Sequence, residues 1–90
     1  MAYLTYDGAA NWYEVDAVVS GQHGIEVVDP VETAPEFWSV YRRPMAPDEE
    51  GNHLAQHVMD FSGRLDAKIK ALELALEEHT KAVMNDTDYA

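Results

Sequence analysis

Ninety residues with a net charge of −11 and no cysteine make one domain with no disulfide and no thiolate metal site. Excess acid excludes direct phosphate recognition, which needs Lys and Arg to displace counterions, and excludes an anionic membrane surface. No stretch approaches the roughly 18 apolar residues of a membrane span, and the opening MAYLTYDGAANWYEV has neither the basic region nor the apolar run of a signal peptide, so a cytoplasmic location is expected.

The first ten residues contain AYLTY, readable as a strand or as a loose arm. NWYEVDAVVSG (11–21) alternates: Tyr13, Val15, Ala17 and Val19 on one side, Trp12, Glu14, Asp16 and Val18 on the other. Period two with β-branched and aromatic residues predicts a half-buried strand. SGQHG is a turn, with His23 a polar turn residue, and IEVVD (25–29) is a second strand hairpinned to the first. Pro30 and Pro35 mark a connection to a third strand, FWSVYRR (37–43). PMAPDEEGN is a loop.

HLAQHVMDF (53–61) fits both an alternating and a helical pattern; the Glu-Gly-Asn before it favours a strand hairpinned to the third. The last element is a helix over 63–84, with Ser62 as N-cap. Leu65, Ile69, Leu72, Leu76 and Val83 recur at helical spacing and predict the buried stripe, with His79 on it and Ala71, Ala75 and Ala82 beside it. Leu74 lies nearly opposite and is expected at the surface. Residues 85–90 are expected as a disordered tail. The predicted architecture is α+β: a small antiparallel sheet of about four strands packed against one C-terminal amphipathic helix, as one domain spanning 1–90.

Charge is uneven along this plan. Residues 1–62 carry eleven acids and only two bases, Arg42 and Arg43, whereas residues 63–84 carry four of each. On a strand, Glu14 and Asp16 point the same way, about 6.6–6.8 Å apart along it, near the spacing of successive phosphates. Glu26 extends the row, and Asp29, Glu32 and Glu36 lie in the following loop. Such a surface complements a basic groove. Trp12 and Trp38 are candidate apolar anchors beside it; the sequence leaves open whether Trp38 or Phe37 faces the helix.

Catalytic and metal chemistry find little footing. His53 and His57, four apart, would share a face on a helix and suit zinc; on a strand they are about 13 Å apart and do not share an ion. The strand reading therefore gives no metal site and no cofactor. Ser20, Ser39 and Ser62 lack a nucleophile context, and Glu14 with Asp16 has no evident cleft for acid–base work. A non-enzymatic protein is expected.

The run FWSVYRRP…EEGNHLAQHVMDF followed by GRLDAKIKALELAL resembles small proteins of bacteriophages and mobile elements, through Phe37 to Arg43, Gly51, Asp60, Phe61 and the Leu65–Leu76 helix. In size, acidity and domain style the chain is similar to anti-CRISPR proteins of the nucleic-acid-mimic type. That resemblance carries over no site residues. It implies a class of mechanism: an inhibitor in the cytoplasm of an infected bacterium that occupies the basic nucleic-acid site of a CRISPR surveillance complex or similar protein. Glu14, Asp16, Glu26, Asp29, Glu32 and Glu36 are then the expected contact residues. The competing expectation is a self-associating accessory protein, monomer or homodimer. There a sheet edge, or Leu74 with the Ala67 side of the helix, pairs two copies and the acid only confers solubility.

Overall fold

The computed structural model describes residues 4–22 and 24–87; residues 1–3, where the AYLTY segment begins, His23 and residues 88–90 lie outside the described residues. Its elements are β1 (Leu4–Asp7), β2 (Asn11–Gly21), β3 (Gly24–Val27), β4 (Phe37–Pro44), β5 (Gln56–Phe61) and α1 (Arg64–Thr87). All strand pairs are antiparallel. The sheet runs β1-β2-β4-β5, and β3 pairs with the far end of β2, on Val18–Gly21. This is the α+β fold expected, with one more strand: β1 forms from the opening segment, setting Leu4 against Val15 and Tyr6 against Tyr13.

Alternation along β2 separates the two faces of the sheet. Tyr13, Val15 and Ala17 share a core with Trp38 and Val40 of β4 and with Ala67, Ala71 and Ala75 of α1. Trp38, not Phe37, therefore faces the helix, which removes it as an exposed anchor. The strand expected over 53–61 begins only at Gln56; the register shift between Val40 and Tyr41 leaves Val58 as an extra residue, packed toward the core. Residues 85–87, expected as tail, continue α1, since no Gly or Pro interrupts it after Gly63.

The helix lies the other way round from the expected arrangement. Ala67, Ala71 and Ala75 are buried and Leu74 packs on the core, while Leu65, Ile69, Leu72, Leu76 and Val83 are between 41 and 65% exposed. Two causes combine. Tyr13 and Trp38 fill the interface from the sheet side, so the helix contributes small residues that allow close approach. A polar anchor on the Ala face then sets its rotation. Glu78, one turn beyond Ala75, accepts hydrogen bonds from the backbone N–H of Ala10 (2.9 Å) and Asn11 (3.1 Å), from Asn11 Nδ2 (3.1 Å) and from the Tyr13 hydroxyl. Gly8 makes room for it: a Cβ there would sit 2.8 Å from Glu78 Oε1 and 2.9 Å from the Asn11 carbonyl oxygen.

Candidate functional site

On the sheet face away from α1, Glu14 and Asp16 are buried, 9% and 6% exposed. The register sets Trp12 opposite Arg43, Glu14 opposite Tyr41 and Asp16 opposite Ser39. Glu14 Oε1 accepts from Trp12 Nε1 (2.9 Å) and from Arg43 Nε on the diagonal (2.8 Å). Arg43 also donates to the His53 carbonyl oxygen (2.6 Å), His53 Nδ1 donates to the Pro44 carbonyl oxygen (2.8 Å), and the His53 ring lies over Trp12 with centroids 5.1 Å apart. The expected row of unpaired carboxylates on β2 is thus corrected. Glu14 is neutralised by Arg43 and covered by the loop before β5. Glu14 and Asp16 belong to the interior, and Trp12 is half-buried beneath His53.

A second polar group ties β4 to β5. Asp60 Oδ1 accepts from Ser39 Oγ (2.5 Å) and from His57 Nε2 (2.8 Å), and the His57 ring meets Tyr41 edge-on at 5.6 Å. The Ser39 hydroxyl, then His57, hold the Asp60 carboxyl below its usual range. Ser39 and His57 both point at the same carboxylate and not at each other. Nucleophile activation needs the base against the hydroxyl, so this arrangement serves as a clamp between strands. His53 and His57, each committed to a different acceptor, do not converge on a common ion, and no group of three His, Asp or Glu suited to a metal occurs among the described residues.

The remaining expected contact residues do gather at the surface. Glu26, Asp29, Glu32 and Glu36 are exposed, on β3 and the connection to β4. That connection is tightly folded. Asp29 Oδ1 accepts from the Val31 N–H (2.9 Å), and the Asp29 carbonyl oxygen accepts from Glu32 (3.1 Å) and Thr33 (2.9 Å). Backbone bonds from Val28 N–H to Ala17 O (2.8 Å) and from Glu36 N–H to Val18 O (2.9 Å) fasten both ends to β2. Exposed Ile25, Val27 and Val31, the last 90% exposed, stand among these acids. Asp48 of the other acidic run is absorbed by its own turn, where its Oδ1 accepts from Glu50 and Asn52 N–H and Gly51 takes a φ of 83°.

Glu78 is the residue that sequence reasoning missed. Burial opposes its ionisation, but the donors from Tyr13, Ala10 and Asn11 outweigh it and hold the carboxyl at about 2. Burial first, then the Glu78 carboxylate, raises the Tyr13 phenol above its usual value. An acid among alanines at helical spacing was the available signal, but its partners lie 65 to 68 residues away.

No helix among the described residues is long and apolar enough to cross a membrane. No protein-family model, curated protein or solved structure matches the chain.

Proposed function

We propose that this protein is a non-enzymatic binding protein whose acidic end, Glu26 to Glu36, engages a basic surface of the kind that nucleic-acid-binding proteins present. One observation carries the reading. Glu26, Asp29, Glu32 and Glu36 are exposed on β3 and on the connection after it, which is fastened to the sheet at both ends, interleaved with exposed Ile25, Val27 and Val31, and no Lys or Arg precedes Arg42. Fixed acids with apolar residues between them can satisfy both the charged rim and the apolar centre of an interface. The likeness in size and acidity to anti-CRISPR proteins supports a defence complex as the class of target, with loss of DNA or RNA binding as the outcome.

The test compares the wild-type protein with the combined variant Glu26→Gln, Asp29→Asn, Glu32→Gln and Glu36→Gln as baits in bacterial lysate under a salt gradient. The expected result is a nucleic-acid-binding protein retained by the wild type alone, released as salt rises, and competed from duplex DNA by the wild type but not by the variant. Equal capture and equal competition by both baits would remove the acidic end as the site.

A further inference from the structure

The side chains left exposed on α1 follow a heptad. Leu65, Ile69, Leu72, Leu76, His79 and Val83 are spaced 4, 3, 4, 3 and 4, the a/d seam of a two-stranded coiled coil, with Ile69, Leu76 and Val83 at a and Leu65, Leu72 and His79 at d. The sheet uses another side of the same helix, through Ala67, Ala71 and Ala75, and leaves the aliphatic members of the seam exposed. His79 turns out of it, donating from Nε2 to the Asp7 carbonyl oxygen on β1 (2.9 Å). That leaves five aliphatic side chains along one line.

We infer that this seam pairs with a second copy of the chain, helix parallel to helix and in register. Three observations select that occupant and orientation. First, two chains of net charge −11 repel, yet residues 63–84 carry as many bases as acids, so α1 is where two copies approach at least electrostatic cost. Second, the flanking charges are self-complementary in one direction only. Lys68 falls at g and Glu73 at e, five residues later, and both are exposed. In a parallel pair each g position faces the partner's next e position, giving two Lys68–Glu73 contacts across the twofold axis. An antiparallel pair sets e against e and brings the two Glu73 carboxylates together. Third, two of the three a positions are β-branched (Ile69 and Val83, with Leu76 between them) and two of the three d positions are leucine (Leu65 and Leu72), the pattern that in parallel coiled coils favours two strands over more. The pairing is independent of the acidic end and replaces the sheet-facing Leu74 and Ala67 surface as the route to self-association.

The test uses the full chain, whose lack of cysteine allows single labels. Sedimentation velocity at about 100 μM is expected to show a dimer for the wild type. A folded monomer is expected for Leu72→Glu with Leu76→Glu, since both sites are already exposed and the variant should keep the wild-type circular dichroism. Ile69→Cys alone is expected to oxidise to a covalent dimer. A wild-type monomer at that concentration overturns the pairing. Cross-linking confined to mixtures of Leu65→Cys with Val83→Cys chains would make the helices antiparallel and overturn the orientation. Neither outcome touches the acidic end, whose partner binding is read separately with the neutralised variant.

Discussion

The acidic end and the outer face of α1 sit on one small frame and solve opposite problems. The first concentrates like charge around a few exposed aliphatic side chains, Ile25, Val27 and Val31; the second lines up aliphatic side chains in a segment where bases balance acids. Charge attracts at long range and is screened by salt, whereas apolar burial acts only on contact and is nearly indifferent to salt. A molecule carrying both can meet a basic partner and a copy of itself through surfaces that do not compete.

The largest expected effect separates the two outright. Neutralising Glu26, Asp29, Glu32 and Glu36 removes four charges, each worth about 0.5–1 kcal/mol at a complementary surface, so partner affinity should fall about 100-fold while the sedimentation of the free protein still shows the dimer. Leu72→Glu with Leu76→Glu should do the reverse. If either variant abolishes both activities, the surfaces are not separate.

Next in size is a change where α1 is fastened to the sheet. Glu78 is ionised where helix meets the β1–β2 turn, and hydrogen bonds to a charged group contribute about 1.5–3 kcal/mol before allowance for its partial exposure. Glu78→Ala should cost about 2 kcal/mol in urea unfolding. The pH dependence has a fixed sign. With the folded carboxyl lowered from 4.5 to about 2, its stabilisation is fully present above pH 4.5 and is lost as pH falls from 4.5 toward 2. The stability gap between wild type and Glu78→Gln should therefore narrow over that interval and stay constant above it; a gap unchanged at low pH would mean that Glu78 acts by packing alone.

Glu78 also explains what could and could not be read from the chain. Alternation in 11–21 and the aromatic and β-branched content of 37–43 identified β2 and β4, and the α+β class follows from them and from the helical period after residue 63. Which side of the helix goes inward was not legible. Leu65, Ile69, Leu72, Leu76 and Val83 dominate any count of apolar residues, while Ala67, Ala71 and Ala75 add little to it; yet the bulk that fills the core comes from Tyr13 and Trp38, and the rotation comes from an anchor whose partners are more than 60 residues distant. The fate of Glu14 was hidden for a similar reason, because its bond to Arg43 exists only once the β2–β4 register is known. Asp29, Glu32 and Glu36 were legible as surface acids, since short connections with proline stay outside the core.

The smallest effects test the comparison most finely, because the two surfaces should answer salt with opposite signs. Raising salt from about 0.05 to 0.5 M shortens the Debye length from roughly 14 to 4 Å, so binding through the acidic end must weaken. Self-pairing of two −11 chains must tighten instead: screening relieves repulsion between all the distant carboxylates and costs only the two Lys68–Glu73 contacts, each worth a few tenths of a kcal/mol. Lys68→Glu should accordingly weaken the pair only a few-fold at low salt and hardly at all at high salt, and Lys68→Glu combined with Glu73→Lys should restore it. Sedimentation equilibrium at both salt concentrations reads all three values. A dimer that dissociates as salt rises would mean that charge, not the Leu65–Val83 seam, holds the copies together, and the division of labour between the two surfaces would fall with it.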